Sequence, residues 1–438
     1  MLLAKGPLIM DVDIPAVAVP GSGTASPPLT VSQVGDDTAN RRTLAALGFG
    51  TFVAALVFVV PPIFFPQMAA DLQVSVPLLG QTMSAMLALS VVLGLVIGPL
   101  ADRSGYRFLI LIGLLASVVC LLVFGLAPTF LLLFLASATG AVTDAGVLGP
   151  SLALAGTAFE GTAARRAIGW TTAAQAGSAI VGVPLLAAVG TMGGWRMAFV
   201  GGGLAAAAVL LLATRWLPRD HRPAATPLRL ESLLAPYRPL LRDGTMRRLY
   251  GATVCGAVCW FGVVTYLGAF LVQTLGLGTG QVGLVYMIVG AGYCLGSLAV
   301  GGPLAGVPTR RLIISGFLAT AILVGLAFSG RTGTPGAIIF ITGVALMMGV
   351  EGVAMTTLLT SETPSGAGTT MTLSGSLFNL GAAGGSAIGG ALLALSGYEA
   401  LALGFPVFAL GAAVLSWRPA RVRALSIDSR GMQKEHDA

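Results

Sequence analysis

Charge is scarce in this sequence. Only 9% of its 438 residues are Asp, Glu, Lys or Arg, while 55% are apolar. A soluble domain carries roughly 25% charged residues. Together with a mean hydropathy of +0.90, this shortage excludes a water-soluble globular fold and predicts an integral membrane protein.

Lysine and histidine are almost missing, which excludes several kinds of chemistry. The lysines are Lys5 and Lys434 alone, so none follows a Gly-rich turn, where ATP phosphates would be held. The histidines are His221 and His436, both outside the apolar segments. No segment combines His, Cys and carboxylates at catalytic spacing. We therefore expect no enzyme activity, no ATP hydrolysis, no cofactor and no metal.

Cysteine is equally rare, and all four cysteines lie inside apolar segments. An extracytoplasmic disulfide framework is therefore not expected. Cys255 and Cys259 are spaced to share one face of a helix. Because no histidine or further cysteine is near them, packing of a small side chain explains the pair better than metal binding does.

Long apolar runs, by contrast, are numerous. A helix needs about 20 apolar residues to cross the hydrocarbon layer. Twelve such segments, called spans 1 to 12 below, begin near residues 44, 78, 107, 129, 167, 196, 250, 281, 310, 336, 368 and 399. The predicted fold class is an all-α membrane protein with twelve transmembrane helices.

The longest polar interval lies between spans 6 and 7 and divides the chain into two sets of six. We predict a disordered cytoplasmic tail over residues 1–42, a six-helix bundle over 43–214, a cytoplasmic loop over 215–249, a second six-helix bundle over 250–418 and a cytoplasmic tail over 419–438. Within the central loop, residues 228–241 form either a short amphipathic segment at the membrane interface or a solvated loop.

The net charge of +7 does not indicate nucleic-acid binding, because its distribution follows the spans. With the N-terminus inside, 22 of the 24 basic residues fall on the cytoplasmic side, and only Arg196 and Arg331 fall outside. This asymmetry is the positive-inside rule, which predicts an even number of spans and cytoplasmic termini. The excess of arginine over lysine suggests a bacterial source, so we expect a multi-pass protein of the bacterial cell membrane.

The two sets of six spans repeat each other in sequence. The segment at residues 98–101, Gly-Pro-Leu-Ala, recurs at 302–305, and Gly-Ser-Ala-Ile at 177–180 recurs at 385–388. Arg107 and Gly113 recur as Arg310 and Gly316. The offsets of 203 to 208 residues are nearly constant. Parallel repeats of this kind predict two bundles that rock around one central site, as alternating access requires.

Two carboxylates lie deep inside predicted spans: Asp144 in span 4 and Glu351 in span 10. A charge at bilayer depth costs several kcal/mol, so such residues normally face a wet cavity and mark ion paths. They are 207 residues apart, which predicts near-equivalent positions in the two halves. We interpret both as proton carriers or as partners of a cationic group. The alternative is a protonated acid that serves packing through a hydrogen bond to a neighbouring helix.

The connection between spans 2 and 3 resembles the loop signature of the major facilitator superfamily. It reads Gly-Pro-Leu-Ala-Asp-Arg-Ser-Gly-Tyr-Arg over residues 98–107. The resemblance implies two six-helix bundles and a cytoplasmic latch that closes in the outward-open state. By position, the latch residues are Gly98, Asp102, Arg103, Gly105 and Arg107. The alternative is a short charged turn that merely obeys the positive-inside rule.

Span 5 is similar to the signature of the twelve-helix drug:proton antiporter branch of that family. The residues that carry the similarity are Gly169, Gly177, Gly182 and Pro184. The resemblance implies secondary transport of a small-molecule substrate by a monomer. A proline bends a helix and glycines allow close crossing, as such a mechanism requires.

Candidate substrate contacts are the aromatic and amide residues on spans expected to line the cavity, namely Trp260, Phe261, Tyr266, Tyr293 and Asn379. Interfacial anchoring of Trp and Tyr, or a structural interhelical bond from Asn, is the alternative for each.

These features predict proton-coupled efflux of drug-like or other small organic compounds, with the substrate, protons and the lipid bilayer as partners. The alternatives are an importer or uniporter for a sugar, amino acid or organic anion, and a membrane receptor or structural protein that transports nothing.

Overall fold

The computed structural model describes residues 37–159, 161–219 and 235–417, and every regular element in them is helical. The predicted tails at 1–42 and 419–438, except for the residues from 37 to 42, lie outside this part, as does the middle of the central loop. Ten helical runs are long and apolar enough to cross a membrane. Two of them, Ala163–Trp216 and Gly368–Ser416, each hold two spans joined at a break, which gives the twelve predicted spans.

In the first half, span 1 is formed by Asp37–Val59 and Pro61–Leu72, span 2 by Val76–Ser104 and span 3 by Tyr106–Leu126. Span 4 consists of Phe130–Thr143, a π-helical turn Asp144–Leu148, and Gly149–Ala158. Span 5 begins with Gly161–Gly177 and the π-helical turn Ser178–Gly182. The helix Val183–Trp216 completes span 5 and, after a break at Gly193 and Gly194, forms span 6.

In the second half, a short turn Ala235–Tyr237 and a helix Arg238–Arg242 precede span 7, Gly244–Gln273. Spans 8, 9 and 10 are Thr279–Gly301, Thr309–Phe328 and Gly333–Glu362. The helix Ala367–Ser416 breaks at Ser396 and Gly397 into spans 11 and 12. At both breaks a glycine adopts a positive φ, 74° at Gly194 and 70° at Gly397, which closes a turn of two residues.

Because the number of spans is even, residues 37 and 417 lie on one side of the bundle, called the terminus side below. The opposite side, called the far side, holds the connections within each pair of spans. Many side chains on the outer faces are large, apolar and exposed, for example Leu131 at 65% and Leu298 at 72%. A surface of this kind suits contact with lipid rather than water.

The apolar core that the halves share is largest on the far side. One large cluster there combines Phe64 and Phe65 of span 1 with Tyr266 and Phe270 of span 7. On the terminus side, one cluster is built from buried residues of the first half alone and another from buried residues of the second half alone. The halves are therefore packed together most extensively on the far side. Spans 2 and 11 also stay in contact at mid-depth, where Leu87 packs with Ala382 and Ala383, and Leu95 of span 2 packs against the terminus-side cluster of the second half.

Glycine residues allow helices of the two halves to approach each other closely on the far side. At Gly268 of span 7 an added Cβ would meet the Pro62 carbonyl oxygen and lie 2.9 Å from the Ile63 Cα of span 1. At Gly283 of span 8 it would lie 2.6 Å from the Ala187 Cβ of span 5. Gln67 of span 1 adds a hydrogen bond of 2.7 Å to the hydroxyl of Thr279. Small residues at such crossings allow backbones to approach where no hydrophobic force drives association.

Candidate functional site

Asp144 lies at the middle of span 4, as the first residue of the π-helical turn Asp144–Leu148. The turn precedes Pro150, which has no N–H to bond the carbonyl of Gly146 in an α-helix. The wider π-helical turn accommodates the hydrogen bond that Pro150 cannot donate. Span 5 repeats the arrangement, because Ser178–Gly182 precedes Pro184. Single π-helical turns inside α-helices often occur at functional sites.

The carboxylate of Asp144 joins the two halves of the molecule. The Asn379 Nδ2 in span 11 donates a hydrogen bond of 2.7 Å to the Asp144 Oδ2. The side chain of Ser90 in span 2 lies beside the same carboxylate. Asp144 and Asn379 are both half-buried. An ionisable group thus lies at mid-span depth in the interface that a rocking motion would open.

Glu351 is in a different environment. It is 2% exposed and accepts a hydrogen bond of 2.9 Å at Oε1 from the hydroxyl of Thr320 in span 9. Its Oε2 atom has no hydrogen-bond partner among the described residues. Gly316 leaves room for it, since a Cβ there would lie 2.7 Å from the Glu351 Cγ. The hypothesis that both acids project into a central chamber is therefore corrected: Glu351 is enclosed inside the second half.

The repeat explains why the two acids differ. Ser117 of span 3 donates a hydrogen bond of 3.3 Å to Thr143, and Ser117 lies 203 residues before Thr320. Thr143, rather than Asp144, therefore occupies the place of Glu351. One residue further along a helix is a rotation of about 100°, which turns Asp144 away from span 3 and towards spans 2 and 11. The near-equivalence predicted from the 207-residue separation is off by one residue.

The predicted latch is only partly covered by the structure. Gly98, Asp102 and Arg103 belong to the helix of span 2, but the surroundings of these three residues lie outside the described part of the chain. Gly105 has a φ of 80°, and its N–H bonds the carbonyl of Ala101 at 2.9 Å. That left-handed conformation favours glycine at the turn between spans 2 and 3.

Arg107 fastens the start of span 3 to the end of span 6. Its Nη2 donates a hydrogen bond of 2.6 Å to the carbonyl of Thr214. The second half repeats the contact, because the Arg310 Nη1 donates to the carbonyl of Ser416 at 2.9 Å. Arg310 also forms a salt bridge of 2.9 Å with Glu362. Cations that bind the last carbonyls of a helix complement its dipole, so this pair of contacts stabilises each half.

The four residues of the span 5 motif have different surroundings. Added Cβ atoms would meet nothing within 4 Å at Gly169 and only Phe52, at 3.9 Å, at Gly177. At Gly182 a Cβ would lie 2.5 Å from the side chain of Leu56 in span 1. Pro184 lies against Gly283 of span 8 at the contact between the halves. Gly182 and Pro184 thus shape helix crossings, whereas Gly169 and Gly177 have space around them.

The aromatic candidates separate into two groups. Trp260 and Tyr293 stack with ring centroids 6.2 Å apart, and Phe261 meets Phe378 edge to face at 5.6 Å. These rings are not fully buried, and Tyr293 is 37% exposed. They lie on spans 7, 8 and 11, which meet the first half.

Tyr266 requires a correction as a cavity residue. It is 0% exposed, and its hydroxyl donates a hydrogen bond of 2.7 Å to the carbonyl of Ser386. Its ring faces Gly80 of span 2 and Gly389 of span 11. A residue held in this way packs the closed far side, so it contacts no open space in this conformation.

Sequence reasoning missed three neighbours of the predicted site: Ser90, Thr320 and Phe378. The sequence repeat could have pointed to Thr320, because it is the repeat partner of Ser117. Both residues also precede the end of their span by similar distances. No comparable sequence feature points to Ser90 or Phe378. Small hydroxyl and aromatic residues are common in membrane helices, so only the three-dimensional contacts single them out.

Comparison with known families identifies the chain. Residues 47–383 match the model of the Major Facilitator Superfamily. The chain belongs to this superfamily. The predicted resemblance and the fold of two six-helix bundles are confirmed. Major facilitator proteins are carriers that span the membrane several times and perform no chemical conversion, so the prediction that this chain is not an enzyme is also confirmed.

Curated relatives of this major facilitator protein are distant. A probable sugar efflux transporter of Mannheimia succiniciproducens is 27% identical over 54% of this chain, and the match spans 58% of that protein's length. The transcription regulatory protein OpdE of Pseudomonas aeruginosa is 26% identical over 89% of this chain and 98% of its own. An uncharacterised MFS-type transporter of Bacillus subtilis, YceJ, is 24% identical over 76% of this chain and 85% of its own.

Solved structures confirm the fold. A mutant of the nucleoside transporter NupG superposes with a TM-score of 0.71 at 14% identity, over 86% of this chain and 98% of that one. A bacterial homologue of the human lysosomal transporter Spinster, in an inward-facing and unoccupied conformation, gives 0.67 at 17% identity over 87% and 95%. At these identities the likeness concerns the fold alone.

Proposed function

We propose that this major facilitator protein exports small organic compounds in exchange for protons by alternating access. The observation that carries the proposal is the hydrogen bond between Asp144 and Asn379, because it joins a mid-span acid of one half to the other half. A bond in that place has to break when the halves rock apart. The charge state of Asp144 is then linked to the arrangement of the halves.

The linkage has a definite direction. An ionised carboxylate is a strong acceptor for the Asn379 amide, since charge-assisted hydrogen bonds are about twice as strong as neutral ones. A protonated carboxyl group is a weaker acceptor. Proton binding to Asp144 therefore loosens the contact between spans 4 and 11, and proton release tightens it.

Glu351 is the second proton carrier in this proposal, but it does not exchange protons with the central cavity directly. Its environment is closed between spans 9 and 10, so a proton reaches it only if those spans move. Its partner Thr320 supplies a hydroxyl donor and no charge. We assign the exchange with the central cavity to Asp144 and a dependent, conformational role to Glu351.

We further propose that the terminus side is cytoplasmic in a bacterial cell membrane. The support is the charge distribution, because 22 of 24 basic residues fall on that side of the predicted topology. In that orientation the far side, where the halves are packed together most extensively, faces outwards, and we assign the structure to the inward-facing state. The far-side contacts of Gln67 and Gly268 then form the outer gate.

The substrate we propose is a compact organic molecule with a flat face. The stacked pair Trp260 and Tyr293 offers an aromatic surface, and the Asp144 and Asn379 pair offers a hydrogen-bonding acid and amide. A probable sugar efflux transporter among the relatives and a nucleoside transporter among the structural neighbours favour polar ring compounds as the first probes to test.

Purified protein in liposomes with an imposed pH gradient tests this function. The probes are labelled uridine, labelled glucose and the cationic dye ethidium. With an acidic interior, exchange predicts accumulation of at least one probe, and collapse of the gradient abolishes it. Asp144→Asn is expected to lose accumulation but keep equilibration of the same probe. Glu399→Gln, which changes an exposed carboxylate at the start of span 12, is the matched control and retains both.

The same experiment separates the alternatives. An importer that uses proton symport accumulates the probe only when the interior is alkaline. A uniporter equilibrates the probe at the same rate with or without the pH gradient and does not accumulate it. A receptor or structural protein moves no probe in either direction. The coupling hypothesis fails if both Asp144→Asn and Glu351→Gln still concentrate a probe as the wild type does.

A further inference from the structure

A basic cavity lies at one corner of the terminus side, outside the proposed transport site. Its volume is about 470 Å³, and it lies between the start of span 3 and the end of span 6. Its lining consists of Arg107, Thr214, Arg215, Leu217 and Arg219. Three of these five side chains are guanidinium groups. The positive-inside rule explains why basic residues lie on this side of the membrane, but not why three of them line one cavity.

Two further arginines lie close to the same corner. The hydroxyl of Thr43 in span 1 donates a hydrogen bond of 3.2 Å to the carbonyl of Trp216, so the start of span 1 meets the end of span 6. Arg41 and Arg42 precede Thr43 and are exposed, as are Arg215 and Arg219. Like charges gathered at one corner repel each other. An anion held among them would relieve that repulsion and accept charge-assisted hydrogen bonds.

The two spans that border the cavity carry exposed apolar side chains deeper in the membrane region. On span 6, Leu211 and Leu204 precede Arg215 by four and eleven residues, so the three share one helix face. They are exposed, Leu211 by 66% and Leu204 by 61%. On span 3, Phe108 and Leu115 are exposed by 50% and 52%. Spans 3 and 6 thus combine a basic cavity at their terminus-side ends with exposed apolar residues deeper along each span.

We propose that this corner binds an anionic phospholipid, with the headgroup phosphate among Arg215, Arg219 and the neighbouring arginines and the acyl chains along spans 3 and 6. Basic pockets between membrane helices at the interface are suited to anionic headgroups. A free phosphate ion would use the arginines but gain nothing from the exposed apolar residues. The lipid accounts for both features at once.

The second half provides a natural comparison. Its corresponding corner holds Arg247 and Arg248 at the start of span 7, where the Arg248 Nη2 donates to the carbonyl of Val414 at 3.5 Å. Arg310 in that corner forms its salt bridge with Glu362. The Glu362 carboxylate neutralises part of the positive charge in this corner, so we do not expect it to hold the lipid. The change Arg247→Gln with Arg248→Gln removes the same charge from this corner and serves as the control.

Native mass spectrometry of the full-length protein in detergent tests the proposal, with phosphatidylglycerol and phosphatidylcholine of identical acyl chains as probes. We expect the wild type to retain phosphatidylglycerol in preference. Arg215→Gln with Arg219→Gln should weaken that binding by about 30-fold, because each arginine near an anionic surface contributes on the order of a fivefold factor. Arg215→Lys with Arg219→Lys, which keeps the charge, should bind nearly as the wild type does.

The control variant Arg247→Gln with Arg248→Gln should retain phosphatidylglycerol. Equal retention of the two lipids by the wild type, or equal loss in both double glutamine variants, would overturn the site. A separate arm adds inorganic phosphate without lipid and measures thermal stability. If phosphate alone stabilises the wild type as much as phosphatidylglycerol does, and Arg215→Gln with Arg219→Gln removes the effect, the ligand is a phosphate ion and the lipid proposal is wrong.

Discussion

Glu351 of span 10 has Thr143 of span 4 as its counterpart, and the two residues make matching contacts in their own halves. Thr320 bonds Glu351 at 2.9 Å, and Ser117 bonds Thr143 at 3.3 Å. The duplicated position therefore serves contact between two neighbouring spans. In the second half an acid, Glu351, occupies this position. In the first half the acid, Asp144, is the residue that follows it. This difference predicts that the two acids respond differently to substitution.

For Glu351, the expected difference lies between glutamine and alanine. Glu351→Gln keeps an oxygen that accepts from Thr320, so stability should change by less than about 1 kcal/mol. Glu351→Ala leaves Thr320 without its acceptor and opens a cavity beside Gly316, which should cost about 2–4 kcal/mol. Thermal unfolding in detergent measures both. Glu399→Ala at an exposed position should leave the unfolding temperature unchanged, and equal losses for Gln and Ala would refute the packing role.

For the bond between the halves, a double-mutant cycle isolates Asp144 from Asn379. Asp144→Ala and Asn379→Ala should each lower stability, and the combined variant should lose less than the sum of both. We expect a coupling energy of about 0.5–3 kcal/mol, as for residues in direct contact. Unfolding in detergent at neutral pH gives the energies. The pair Asp144→Ala and Thr320→Ala, which share no contact, should be additive; additivity in the first cycle as well would show that the bond contributes nothing.

Gly268→Ala should open the far side. Its Cβ would meet backbone atoms of Pro62 and Ile63, which have no freedom to turn away. We expect Gln67→Cys, in a background without the four native cysteines, to react several times faster with a membrane-impermeant maleimide when Gly268→Ala is added. Gly201→Ala is the control, because an added Cβ there has nothing within 4 Å. Unchanged labelling in the Gly268 variant would contradict a gate at this contact.

Trp260 and Tyr266 should differ in what their substitution affects. Trp260→Ala removes one ring of the exposed stack and should raise the KM for transport by about tenfold, since an aromatic contact is worth roughly 0.5–1.5 kcal/mol beyond its buried area. Tyr266→Phe removes only the hydroxyl that bonds Ser386, at a cost in stability of about 1 kcal/mol, with KM unchanged. Initial transport rates and thermal unfolding distinguish the two; a raised KM for Tyr266→Phe would return that residue to the substrate site.

The architecture was predictable from the sequence because the membrane dictates it. A span must be long enough to cross the hydrocarbon layer, so apolar runs of that length mark helices directly. The predicted starts of the twelve spans agree with the structure within seven residues. The repeat at 98–101 and 302–305 likewise fixed the pairing of the halves. Arg107 and Arg310, which the repeat aligned, do make equivalent contacts with Thr214 and Ser416.

The direction in which each acid points was not predictable. In water, apolar residues mark the buried face of a helix, but in a bilayer both the lipid face and the protein face are apolar. Sequence periodicity therefore carries little information about the orientation of Asp144 or Glu351. The π-helical turn at Asp144 adds a local rotation that only the neighbouring Pro150 hints at. For the same reason Tyr266, which was placed in the cavity, turned out to pack the closed side.

The connections on the far side are very short: residues 73–75, 127–129, 193–194, 274–278, 329–332 and 396–397. None is longer than five residues, and two consist of a pair that contains one left-handed glycine. A protease needs a flexible stretch of chain and an antibody needs a protruding epitope. This face provides neither, so agents arriving from it would find only helix ends, and a tag inserted there would have to distort a span to fit.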